Sequence, residues 1–236
     1  MRILILGIGN VMFGDEGFGV HFVRWAKECF SWEFEKTAAA SSQSKQNSPL
    51  QKEVKNEEAN CPRKPYNTAK IEFAKTEFEN EVAAQKSEIC FIDGGTLATA
   101  LSGLIAEFDE VVVVDCIDAD EAKSGDLFFF PFSAMPPQIN WSGSAHELEM
   151  LHTLAMLDLA GDLPQTHILA VVPNRVEPMT FELSKEVQEC AQSAYNTLKT
   201  HLSKLGVKSH LVRNLTLQDV ANSWKNPLFC AQNEAK

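Results

Sequence analysis

Five short apolar runs punctuate the chain: Arg2–Gly7, Glu88–Asp93, Glu110–Cys116, Asp126–Phe132 and His167–Pro173. Longer segments carry apolar residues at helical spacing: Gly17–Phe30, Leu97–Phe108, Ala145–Leu159 and Leu183–Leu205. Strands alternating with helices predict an α/β fold of one domain. Its sheet should be twisted and mostly parallel, with about five strands and helices on both faces. Val111–Val114 is apolar throughout, the pattern of a central strand covered on both sides. In such sheets, functional groups collect at the carboxyl ends of the strands.

Two stretches break this alternation. Residues 37–86 are rich in Ser, Gln, Asn, Lys and Glu and have no sustained apolar period, so they predict a polar, flexible insertion. IEFAKTEFENEVAAQ (residues 71–85) could form a short helix within it. The expected organisation is therefore an α/β domain over 1–205, interrupted at 37–86, and a tail over 206–236 with no clear place in the pattern. NSWKNPLF (residues 222–229) in that tail is expected to pack on the core.

Composition narrows the function classes. Of 236 residues, 44 % are hydrophobic and 22 % charged, values of a globular chain. The formal charge is −11. The 50 residues from 37 to 86 hold eight basic and seven acidic groups, net +1, so the other 186 carry −12. That balance argues against nucleic acid or an anionic membrane as the main partner. The six cysteines are widely scattered without a CxxC pair, which excludes a zinc cluster or a disulfide scaffold. There is no apolar run of about 18 residues to span a membrane. MRILILGIGN reads as a strand rather than a signal peptide. The expectation is a cytoplasmic protein.

The strand ends hold the candidate chemistry. The first leads into GIGNVMFGDEGFGV (residues 7–20), the second ends in DGGT (93–96) and the third in DCID (115–118). SGSAHE (142–147) opens the third helix. A dinucleotide reading of the first loop fails, because Met12 stands where the third glycine of GxGxxG belongs. Asp15 and Glu16 would also repel a pyrophosphate. The plain reading is a tight strand-to-helix turn with Asp15 capping the helix. That leaves Glu16 unexplained. Glu16, Asp115 and His146 share one predicted edge and together make an O,O,N ligand set. Such a set suits Zn, Ni, Fe or Co and leaves coordination positions open. Taken singly, an Asp at a strand end is usually a loop acceptor, and a His at a helix start a cap or surface group. His146 and His152 are six apart, so HExxH is absent. His21, His167, His201 and His210 lack a partner motif and read as core or surface groups. No GxSxG elbow occurs, and no cysteine has a recognisable nucleophile context.

LGIGNVMFGDEGFGVHFV (residues 6–23) closely resembles the N-terminal signature of the hydrogenase maturation proteases. FIDGGT (91–96), VVVVDCID (111–118), SAHELEML (144–151) and ILAVVPNRVEP (168–178) continue the resemblance in order, over about 1–30 and 88–205. It implies a compact α/β sandwich. The activity implied is an endopeptidase that removes the C-terminal extension of a nickel–iron hydrogenase large-subunit precursor after nickel insertion. Glu16, Asp115 and His146 fall on the family's metal-contacting positions. They would recognise nickel supplied by the substrate and bound transiently, with no permanent organic cofactor. Asp93 falls on the acid of the DGGT motif and is the candidate catalytic group. The implied partner is the nickel-loaded precursor, met by a monomeric enzyme that binds no nucleic acid and does not insert into membranes.

Two features depart from the family pattern: the insertion at 37–86, and Cys116 where a small residue such as Ala is usual. A thiol there could fill the volume of Ala or reach the metal. A different class of function, a non-enzymatic nickel-sensing chaperone that holds the precursor, fits the same loop and triad.

Overall fold

The computed structural model describes residues 1–35, 87–136, 139–140 and 145–225. The insertion, its expected helix at 71–85 and the end of the tail lie outside them. By its contacts the chain divides into Met1–Glu35 with Gln85–Lys236 and, separately, Lys36–Ala84. The first unit is described below. Its elements in chain order are β1 (Arg2–Ile8), α1 (Phe18–Cys29), β2 (Phe30–Phe34), β3 (Glu88–Gly95), α2 (Ser102–Ile105), β4 (Glu110–Cys116), β5 (Asp118–Ala119), β6 (Leu127–Pro131), β7 (Ile139–Asn140), α3 (Ala145–Ala160), β8 (Gln165–Val171), α4 (Lys185–Lys204), β9 (Val207–Leu211) and α5 (Leu217–Ser223).

All five predicted strands form, and they join one sheet in the order β3-β1-β4-β8-β6. β3, β1, β4 and β8 are parallel, and β6 closes the edge antiparallel to β8. Alternation along the strands sorts the core into two layers. Ile3, Ile5, Val112, Val114, Leu169 and Val171 point to the side covered by α1, α4 and α5. Leu4, Leu6, Val111, Val113, Ile168 and Ala170 point to the other, under Ile105 of α2 and Met150 and Leu154 of α3. The strands are apolar on both sides because both sides are covered. Each fully buried Ile, Leu or Val contributes roughly 1.5–3 kcal/mol. Among the described residues, no helix is long and apolar enough to cross a membrane.

Two expectations are corrected, and the tail, which had no clear place in the pattern, gains one. The helix expected over Leu97–Phe108 is a 3₁₀ turn, Ala98–Leu101, followed by the single turn α2. Thr99, Ser102 and Gly103 are weak helix formers, and the segment has to bring the chain from β3 into β4 rather than cover a broad face. The first helix ends at Cys29, and Phe30 turns to extended geometry to begin β2. Finally, the tail is integral. β9 pairs antiparallel with β2, and α5 buries Leu217, Val220 and Ala221 in the α1/α4 layer.

Aromatic packing explains how the tail is recruited. Phe30 stacks on Tyr195 of α4, with ring centroids 3.9 Å apart. The Tyr195 hydroxyl lies 2.9 Å from the Ser209 hydroxyl on β9. The Trp25 indole N–H donates to the Leu215 carbonyl at 2.8 Å. Thr216 and Asp219 then start α5 with a reciprocal capping box. Leu217→Ala should therefore cost about 2–5 kcal/mol in urea unfolding, the range for a core leucine. A loss under about 0.5 kcal/mol, typical of surface substitutions, would mean that the tail is not part of the core.

Candidate functional site

The carboxyl edge of the sheet is built around a sharp β1–α1 connection. Gly9 has φ +138°, and a Cβ there would overlap the Glu16 carbonyl oxygen. At Gly19, a Cβ would overlap the Ile8 and Val114 carbonyl oxygens. Only glycine lets the 3₁₀ turn Gly14–Gly17 and the start of α1 settle onto the ends of β1 and β4. That turn carries Asp15 and Glu16.

Asp15 does not cap α1, contrary to the sequence expectation. Gly17 is the N-cap residue, with no side-chain cap bond. The fully buried Asp15 carboxylate reaches across to the β8–α4 connection. Oδ2 accepts the backbone N–H groups of Asn174 (2.9 Å) and Arg175 (2.8 Å), and Oδ1 accepts that of Ser184 (2.6 Å). Backbone bonds reinforce the junction: Gly14 N–H donates to Thr180 O, Asp15 N–H to Arg175 O and Thr180 N–H to Met12 O. One acid in the sequence is thus an anchor between loops. Its three partners lie about 160 residues away, which is why local spacing does not reveal them.

Glu16 is 8 % exposed and Asp115, near the end of β4, is fully buried. The Cys116 thiol donates to the Asp15 carbonyl oxygen at 2.9 Å. The chain neighbours of Glu16 and Asp115 are therefore in direct contact at the carboxyl edge. The Asp115 Oδ1 accepts the Cys116 N–H at 2.8 Å. Asp115 is aligned with Ala170 and so belongs to the α3 side of the sheet.

His146 is the second residue of α3; its side chain lies outside the described residues. The course of the chain nonetheless places its backbone. α3 ends at Ala160, and β8 begins at the amino edge of the sheet with Gln165. A helix of 16 residues is about 24 Å long, so α3 starts near the carboxyl edge. Glu149, one turn further on, accepts the Thr99 N–H just beyond the end of β3 (3.0 Å).

Asp93 is on the same edge but on the other side of the sheet. It is aligned with Gly7, which in turn is aligned with Val114 of the α1 layer. Its Oδ1 accepts the Gly95 N–H at 2.9 Å. Asp93 is exposed but densely surrounded. Desolvation raises its carboxyl above the usual 3.8, against the Gly95 N–H and the Arg24 charge, which both lower it. β1 separates Asp93 from Asp115, a span of roughly 10 Å between backbones two strands apart.

His21, read from sequence as a core or surface group, is fully buried beneath Gly17. Neither ring nitrogen has a hydrogen-bond partner among the described residues. Burial, with a smaller push from Arg24, lowers its pKa from 6.5 to about 4. The unfolded chain therefore binds more protons between these values. Stability from neutral His21 is complete above pH 6.5 and is lost as pH falls to about 4. Its span is about 3 kcal/mol at most. Unfolding free energies measured across this window should show that slope, and His21→Leu should flatten it. Asp15→Asn should cost about 2–3 kcal/mol, because an amide has one acceptor oxygen for three N–H donors. Equal urea midpoints for wild type and Asp15→Asn would contradict the anchor.

The family model described as hydrogenase maturation protease matches residues 75–201, just over half of the chain. Protein HydD of Wolinella succinogenes is 43 % identical over 135 residues, covering 57 % of this chain and 85 % of that protein. Hydrogenase 2 maturation protease of Escherichia coli is 21 % identical over 210 residues, 89 % of this chain and 95 % of that protein. The solved structure of hydrogenase maturating endopeptidase HybD from E. coli superposes with a TM-score of 0.58 at 20 % identity. It covers 89 % of this chain and 98 % of that one. The structural likeness shows a shared fold. The family match and the HydD relative carry the assignment further: this chain belongs to the hydrogenase maturation protease family and is a peptidase.

Proposed function

We propose that the protein removes the C-terminal extension of a nickel–iron hydrogenase large-subunit precursor, reading the substrate's nickel before it cuts. One observation carries the proposal. Two acids, Glu16 and Asp115, are buried at the carboxyl edge, and their chain neighbours Asp15 and Cys116 are in contact. Two buried carboxylates repel one another, and a cation relieves that repulsion. With His146 on the first turn of α3, they offer O, O and N donors, a borderline set that suits nickel. The precursor already holds the ion, so an open set can test for it without extracting it. Docking is then favourable only after nickel has been inserted.

Asp93 acts from across β1. A substrate tail passing over the end of β1 would bring its scissile bond to the α1 side, while nickel sits on the α3 side. There the Asp93 carboxylate takes a proton from water as that water adds to the carbonyl carbon. The amine then leaves carrying a proton. The Cys116 thiol is engaged by the Asp15 carbonyl oxygen, which favours a packing role over a metal contact. A non-enzymatic nickel sensor would capture the precursor without releasing a peptide; membership of a peptidase family favours cleavage.

Cleavage of nickel-loaded precursor tests these roles. Glu16→Ala and His146→Ala should slow it strongly, with the fold retained by circular dichroism. Asp93→Asn should lower the rate by about 10²–10⁴, the usual worth of a general base. Activity in the wild type should rise with pH through the raised Asp93 pKa, and Asp93→Asn should abolish that limb. Rates equal to wild type in all three variants would overturn the assignments.

A further inference from the structure

The opposite, amino edge of the sheet carries a second cluster. Glu110 opens β4, His167 is the third residue of β8, and His201 lies in the last turn of α4. All three point to the α4 side. The Glu110 Oε1 lies 2.8 Å from His167 Nδ1 and 2.8 Å from His201 Nε2. The imidazole centroids are 4.4 Å apart, and Phe129 of β6 stacks on His167 at 5.3 Å. Glu110 is buried.

We infer that Glu110, His167 and His201 form a second metal site, for a zinc-like divalent transition cation, separate from the nickel-reading edge. The plain alternative is a buried carboxylate satisfied by two imidazole N–H groups. The geometry favours more than that. Both nitrogens converge on the same oxygen, and one ligand atom from each residue lies within 4.8 Å of the others. Two imidazoles and one carboxylate make a ligand set used by open zinc sites. Zinc–ligand distances of about 2.0–2.1 Å put tetrahedral ligands about 3.3 Å apart, so each 2.8 Å contact need widen by only ~0.5 Å. The donors also stand on two strands and a helix, which hold them in place.

Binding needs lone pairs on His167 Nδ1 and His201 Nε2. If both rings are neutral, each N–H hydrogen moves to the other nitrogen of its ring, and no net proton is released. His201 also lines a cavity of ≈ 300 Å³ with Phe129, Asn196, Thr197, Thr200 and Lys204. In this proposal the ion enters from that cavity, and a fourth ligand binds on the His201 side. The Lys204 ammonium on its wall favours an anionic one, such as hydroxide or chloride. The ion would clamp the end of α4 to β4 and β8.

The test is zinc titration of the full chain after chelator treatment, followed by calorimetry and thermal melting. Wild type and Glu16→Gln should both bind a zinc equivalent and melt higher with zinc. Added to Glu16→Gln, His201→Gln should weaken that binding by about 100-fold or more and abolish the thermal gain; loss of even an outer-shell partner costs 10–100-fold. Zinc binding by the double variant equal to that of Glu16→Gln, or no zinc retained by Glu16→Gln, would overturn the site. If His201→Gln does not fold, imidazole ¹⁵N shifts of the wild type decide. Zinc should move His167 Nδ1 and His201 Nε2, and unmoved resonances at saturating zinc would refute coordination.

Discussion

The buried carboxylate of Asp15 ties the β1–α1 connection to the β8–α4 connection, beside the backbone bridge of Phe13 and Thr180. Its two oxygens accept three backbone N–H groups from the β8–α4 connection. Its own carbonyl oxygen receives the Cys116 thiol at the end of β4. A buried charge is tolerable only when it is fully hydrogen-bonded, so the loops must stay closed around it. Closure fixes the turn that holds Glu16 at the edge where β4 ends. The glycines at positions 9 and 19 make the same junction sterically possible.

The sheet separates tasks by edge and by side. At the carboxyl edge, Asp115 belongs to the α3 side and Asp93 to the α1 side, with β1 between them. In the proposed function, metal reading and bond hydrolysis therefore occupy different sides of one strand end. The amino edge holds Glu110 with His167 and His201, braced by α4. Both edges place acids against the core, and each acid there has partners. The acidic balance of the chain is thus more than a solvated surface.

Much of this was readable before the structure. Short apolar runs placed all five strands of the sheet, because central strands covered on both sides are apolar throughout. The glycine-rich loop and the acids at the strand ends marked the carboxyl edge for the same local reason. What escaped depends on distant partners. Asp15 resembled a helix cap until its bonds to Asn174, Arg175 and Ser184 appeared. Glu110, His167 and His201 are 57 and 34 residues apart along the chain, so spacing says nothing of their meeting. β2 and β9 each needed the other, and neither run is long or apolar enough to declare itself. The helix expected after β3 failed because its apolar period was short and interrupted by Ser102 and Gly103.

The proposed reading of nickel is tested most directly by the intact mass of a hydrogenase large-subunit precursor after incubation with the protein, with and without nickel inserted. Shortening of the nickel-loaded form alone, at its C-terminus, is the expected result. Equal trimming of both forms, or none of either, would contradict a protease that reads the metal through Glu16, Asp115 and His146.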